Sequence, residues 1–210
     1  CAAICPKAAV HITGYNEPPV KIEDVKRLDP RQLLMAIQTR RTIRQFKNKP
    51  VENDVIEKMI EAGRFTPTGG NAQDVSYIVL KDRIAPCEKI AVRFFRRLIP
   101  IVRLFSGAAK RVAIDDHFFF KKATAVILVV SKDKVNGALA AGNMALMAEA
   151  QGLGVLYSGF FSSVAAYSRA LRRTLSLKRG EKVVATLVIG YPAVKYQRTA
   201  QKDAAAVRFL

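Results

Sequence analysis

Arg40, Thr42 and Arg44 occupy alternate positions in the stretch Arg40-Arg41-Thr42-Ile43-Arg44-Gln45-Phe46. In an extended backbone alternate side chains share a face, so two guanidinium groups and a hydroxyl can converge on one ligand while Ile43 turns to the core. A phosphate dianion, or a ring edge that becomes anionic on reduction, suits such rigid planar donors. Taken alone, the stretch reads more readily as a solvated basic turn. A second group, Pro67-Thr68-Gly69-Gly70-Asn71-Ala72-Gln73, offers amides, a hydroxyl and a carboxamide where glycines let a planar ligand come close. A third, Gly152-Leu153-Gly154-Val155-Leu156-Tyr157-Ser158-Gly159-Phe160, could itself be no more than a helix end followed by a strand. No catalytic acid or base stands out. His117, in Asp115-Asp116-His117-Phe118-Phe119-Phe120, could give a proton to an acceptor but reads more readily as a surface or helix-end residue, and the aromatic run as packing.

These segments need elements to position them. Residues 1 to about 24 are irregular, with Pro6, Pro18 and Pro19, and Asp29-Pro30 starts a helix that runs to about Thr39. A second helix is expected from Asn53, whose side chain would cap the amides of Val55 and Ile56, to Gly63, with Val55, Ile56, Met59 and Ile60 as its buried stripe. Pro67 and the paired glycines make the next stretch a loop, and 76–81 a strand. Residues 88–111 are helical in period with a break expected at Pro100. The apolar, β-branched run 124–131 has the length and composition of a strand buried on both faces. A long helix over 136–151 follows, in which small residues such as Gly142 would allow close helix packing. A strand at 154–157, a helix over about 163–176, a strand at 183–190 and a basic tail from Tyr191 complete an α+β count.

In order and spacing, these pieces resemble the FMN-dependent nitroreductase family from about Asp29 to Lys202. The family's Arg-Arg-Ser-x-Arg-x-Phe opening corresponds to Arg40-Arg41-Thr42-Ile43-Arg44-Gln45-Phe46, and its Pro-Ser-x-x-Asn-x-Gln-Pro-Trp loop to Pro67–Gln73, with Asp74-Val75 replacing the final Pro-Trp. The resemblance implies a central mixed or antiparallel sheet flanked by helices in an intertwined homodimer. It implies that Arg40, Arg41, Thr42 and Arg44 hold the flavin phosphate and ring edge, and that Pro67, Thr68, Gly69 and Asn71 reach the flavin from the partner subunit. Tyr157, Ser158 and Gly159 match the segment beside the reactive ring nitrogen, where a backbone amide can donate. The tail Gly190-Tyr191-Pro192-Ala193-Val194-Lys195-Tyr196-Gln197-Arg198 matches the last motif and implies phosphate cations at Arg198 and Lys202, although the usual Pro-Pro-Arg-Lys ending is shortened to Ala200-Gln201-Lys202.

Cys1-Ala2-Ala3-Ile4-Cys5-Pro6 resembles the end of a bacterial ferredoxin cluster motif, as in family members that carry a ferredoxin module ahead of the flavin domain. Residues 1–24 are thus expected to be the remnant of such a module with its linker, and 25–210 the FMN-binding domain. Two thiols cannot complete a four-thiolate cluster, so no iron–sulfur cluster and no other metal is expected in this chain. Cys87 reads as an ordinary thiol in a reducing compartment. With no span long enough for a bilayer and no signal pattern, the expected location is the cytoplasm.

The formal charge of +18, from 35 basic and 17 acidic residues, favours anionic partners. No Gly-x-Gly-x-x-Gly fingerprint follows a predicted strand, so an NAD(P)H donor would dock on the flavin face itself, followed there by a small acceptor such as a nitroaromatic or quinone, in a ping-pong cycle. Reduced ferredoxin is the other candidate donor. The charge also admits a basic module without catalysis. Between 88 and 111, apolar Phe94, Phe95, Leu98, Ile99, Val102 and Phe105 alternate with Arg93, Arg96, Arg97 and Arg103, a pattern that can lie on an anionic membrane. The preferred reading makes this segment a cover over the active-site mouth, with no stable membrane insertion. No helix-turn-helix, zinc or RNA-binding signature accompanies the charge, so nucleic acid is not the expected partner.

Overall fold

The computed structural model describes residues 5, 7, 9, 10, 12–14, 17, 22, 27–105 and 113–210, the side chains of 101–105 excepted. It divides into two compact units, Cys1–Leu33 and Leu34–Leu210. Cys1, Pro6, Pro18 and Pro19 lie outside the described residues, as do the side chains of Val102, Arg103 and Phe105 and all of Arg111; Cys5 is half-buried. In the first unit Asp29 accepts a hydrogen bond from the Arg31 amide at 2.8 Å. It thereby serves one of the donors that every helix start leaves free, here that of α1 (Pro30–Thr39).

In the second unit four strands pair antiparallel in the order β1 (Ser76–Leu80), β2 (Ala125–Ser131), β4 (Lys182–Gly190), β3 (Gly154–Tyr157). β2 is buried along its whole length, as its unbroken apolar run requires. Its alternate side chains sort into two cores. Ala125, Ile127 and Val129 pack with Ile56 and Met59 of α2 (Asn53–Arg64) and with Ala141, Met144 and Ala148 of α4 (Lys134–Ala150). Val126, Leu128 and Val130 pack with Cys87, Ala91 and Val92 of α3 (Ile84–Phe105), and with Phe161 of α5 (Gly159–Tyr167) and Leu171 of α6 (Arg169–Thr174). At about 1.5–3 kcal/mol for each fully buried aliphatic side chain, these two layers hold the sheet. The α+β antiparallel arrangement is the one expected.

Several local expectations change. α3 begins at Ile84 and runs through Pro100 without a break. Proline removes a single amide donor, which spares only the Arg96 carbonyl, and Arg96 is exposed to water that can serve it. The single helix expected at 163–176 is two, because Ser168 turns out of helical geometry and caps α6 by accepting from the Leu171 amide at 3.2 Å. Asn53 does not cap α2; its side chain accepts from Lys81 Nζ at 2.9 Å, tying the helix start to the end of β1. Close packing on α4 occurs at Gly137, whose absent Cβ would lie 2.9 Å from the Val184 side chain, whereas Gly142 faces open space. No helix among the described residues is long and apolar enough to cross a membrane.

Candidate functional site

The basic connector owes its course to the sheet end. The Ile43 amide donates to the Val155 carbonyl at 3.1 Å, the Lys47 amide to that of Tyr191 at 2.8 Å, and the Ala193 amide to that of Gln45 at 3.0 Å. Thr42 bridges Val155 in parallel register and Phe46 bridges Pro192. The connector is therefore laced between β3 and the segment leaving β4. Ile43 is buried, as its alternation with Thr42 and Arg44 demands. Two glycines make room for it. A Cβ on Gly154 would stand 2.5 Å from Ile43 Cγ1, and one on Gly190 3.0 Å from the Phe46 ring.

Gly154→Ala is expected to lower unfolding stability by about 1–3 kcal/mol, the usual cost of overpacking, and to loosen the connector. Urea unfolding checks this; a variant as stable as the parent would mean that Ile43 does not set the connector's position.

Arg40, Arg41, Thr42 and Arg44 line one open cleft of about 780 Å³ together with Tyr196 and Lys202. Arg40, Arg41 and Thr42 are half-buried and Arg44 is exposed. The Arg41 guanidinium lies 4.9 Å above the Tyr196 ring, and the Tyr196 hydroxyl donates to the Thr42 carbonyl at 3.4 Å, so the tail closes on the connector. Of the two tail cations, Lys202 lines the cleft, whereas Arg198 is exposed and does not. Tyr196 lay within the quoted motif, but nothing in its type alone assigned it to the cleft wall.

Tyr157 donates its hydroxyl to the Ala141 carbonyl at 2.8 Å. Burial pushes its phenol upward, and the positive charge of Arg40 partly opposes this. The Ser158 amide is engaged by the Thr186 carbonyl at 2.9 Å. The amides of Gly159 and Phe160, in the first turn of α5, have no hydrogen-bond acceptor among the described residues. Phe160 is 55% exposed and its ring meets Phe95 of α3 and Phe118 at 5.6 and 5.7 Å, so the 115–122 turn and α3 pack onto the start of α5.

The loop 67–73 stands apart from this cleft, none of whose walls it forms. A 3₁₀ turn over Gly69–Asn71 shapes it, with positive φ at Gly70, Asn71 and Gln73. Thr68 Oγ1 accepts from the Gln73 amide at 3.0 Å, and the Gly69 amide donates to Asn136 Oδ1 at 3.0 Å. Asn136 Nδ2 in turn donates to Asp74 at 2.7 Å, as does the Ser131 hydroxyl. These two bonds hold the Asp74 carboxyl below the usual carboxylate range. Asp74, which departs from the family's Pro-Trp, is thus the anchor fixing the loop to β2 and α4. Pro67 and Asn71 are exposed, and the Asn71 side chain makes no hydrogen bond among the described residues.

The family model described as Nitroreductase family matches residues 37–191, most of the chain. A Bacillus subtilis protein named FMN reductase [NAD(P)H] is 27% identical over 177 residues, 81% of this chain and 69% of its own length. Among solved structures, an FMN-dependent nitroreductase from Clostridium difficile R20291 superposes with a TM-score of 0.70 at 17% identity, covering 86% of this chain and 100% of its own. A nitroreductase with bound FMN from Desulfitobacterium hafniense DCB-2 gives 0.70 at 17%, covering 85% and 98%. With the sheet, the connector and the loop all falling inside the matched segment, the chain belongs to the Nitroreductase family.

Proposed function

We propose that the chain binds FMN in the Arg40–Lys202 cleft and, as a homodimer, uses NAD(P)H or reduced ferredoxin to reduce small electron-poor compounds. The observation that carries this reading is the cleft itself: Arg40, Arg41, Arg44 and Lys202 converge with Thr42 and an aromatic wall in a space of about 780 Å³. That donor set fits a phosphate dianion joined to a flat heterocycle. When bound, FMN supplies the two-electron redox chemistry. Arg44 and Lys202 neutralise the phosphate, while Arg40 and Arg41 provide positive potential for a ring that gains negative charge. The free amides of Gly159 and Phe160 offer a hydrogen bond at its edge, and Phe160, Phe118 and Phe95 form an apolar screen against water there.

The dimer completes the site. In one chain the 67–71 loop does not line the cleft of Arg40, Arg41, Arg44 and Lys202, which supports its serving a partner's site. Leu139 and Val135 on α4, and separately Met35 and Ile37 on α1, are half or more exposed, apolar side chains of the kind a subunit interface covers. Residues 25–210 form the catalytic domain in this reading. The test is an absorption spectrum of the purified protein, followed by anaerobic addition of each donor. The expected result is a dimer with one flavin per chain whose visible bands bleach with NADH, NADPH or reduced ferredoxin. A colourless protein that cannot be reconstituted with FMN would overturn the reading.

A further inference from the structure

A second cleft, of about 740 Å³, lies between α3 and the segment 116–123. Ile84, Val92 and Ala123 give it an apolar floor, and Lys89, Arg93, Arg97 and Lys122 bring four cations to its walls. Their neighbour Arg96 is satisfied, donating to the Ile114 carbonyl at 2.9 Å and pairing with Asp116 at 2.9 Å. The four others make no hydrogen bond or ion pair among the described residues. Glu88, also in the wall, is only 3% exposed and turned inward: its Oε1 accepts from the amides of Phe119 at 3.0 Å and Phe120 at 2.8 Å. His117 sets Nδ1 3.5 Å from Glu88 Oε2, which leaves Nε2 for a ligand.

Four unpaired cations around one recess raise its potential well above that of a solvated surface and call for more than one negative charge. Guanidinium forks match phosphate oxygens, and the apolar floor accepts a flat ring. We propose that this cleft binds a phosphorylated nucleoside carrying at least two negative charges, its phosphates held by Lys89, Arg93, Arg97 and Lys122 and its base laid on Ile84, Val92 and Ala123. Burial pushes the Glu88 carboxyl above its ordinary range, which lessens its repulsion of such an anion. The recess favours a small molecule over a membrane surface, which would meet a flat or convex basic face.

The probe is adenosine 2′,5′-bisphosphate, titrated calorimetrically into the purified protein. The Arg93→Glu/Arg97→Glu pair is expected to raise Kd by about tenfold or more, as loss of charge-assisted bonds does. Lys58→Glu/Lys178→Glu, which changes net charge equally away from both clefts, and Arg44→Glu, in the first cleft, are expected to leave Kd within about twofold; thermal melts verify that each variant folds. If the Arg93/Arg97 variant also raises the KM for NADPH, the ligand is the 2′-phosphate end of the donor. If NADPH turnover is unchanged, it is a free nucleotide. The proposal is overturned by absent binding, by equal loss in the charge-matched pair, or by loss in Arg44→Glu. Adsorption to phosphatidylserine vesicles through Arg93 and Arg97 without nucleotide binding would assign the face to membranes instead.

Discussion

Arg44→Ala is expected to weaken FMN binding by about ten- to hundredfold while leaving the fold intact. One charge-assisted hydrogen bond contributes about 1.5–3 kcal/mol, and each 1.4 kcal/mol is a factor of ten in affinity. Arg44 is a clean probe because its side chain is exposed and has no partner among the described residues, so its removal uncovers no buried group. The connector's path depends instead on Ile43 and on backbone bonds to Val155 and Tyr191, which the substitution does not touch. Lys47→Ala, nearby in the chain but outside the cleft, serves as the control. Quenching of free FMN fluorescence on binding gives both affinities. Equal Kd values for Arg44→Ala and the parent would remove Arg44 from the cofactor site.

Glu88→Ala is expected to lower the stability of the second unit strongly. It leaves the amides of Phe119 and Phe120 unpaired beside two fully buried rings, at about 1–3 kcal/mol each. Glu88→Gln keeps an oxygen where both amides donate and is expected to lie within about 1 kcal/mol of the parent near neutral pH. The two variants also differ in pH response. Burial is the main influence on Glu88 and raises its carboxyl above the ordinary 4.5, with the Phe120 amide, the His117 charge and the Phe119 amide pulling the other way. The folded state therefore holds this proton more tightly than the unfolded chain does. Its contribution is complete below the ordinary glutamate value and is lost as pH rises through the higher folded value. Urea unfolding across that interval should show the parent losing stability relative to Glu88→Gln, and a parallel profile for the two would contradict the assignment.

Element types were legible because each rested on a long, regular signal. The unbroken run at 125–131 could only be a fully buried strand, and Ile56 and Met59 on α2 could only face a core. Positions decided by distant partners were not legible. Asn53 has the type of a cap, yet Lys81, 28 residues away, claims its carbonyl oxygen. Ser168 interrupts a helical pattern because its hydroxyl serves an amide three residues on, an option that a serine inside any helix also has. Within the site, alternation correctly separated Ile43 from Thr42 and Arg44. It could not assign Tyr196, whose place follows from the fold of the tail, nor Asp74, which looks like a departure from the family loop until its bonds to Ser131 and Asn136 are seen.

The lacing of the connector onto β3 has a consequence for how the chain fares in company. β3 is a terminal strand of the sheet, and its side away from β4 would otherwise present open amides and carbonyls to any passing chain. Thr42 and Ile43 occupy that side, so the edge is closed from within the chain. The segment proposed to hold the flavin phosphate is therefore also the guard on a sticky edge, so a chain whose connector peels away is expected to lose the proposed site and become prone to edge-to-edge association in the same event.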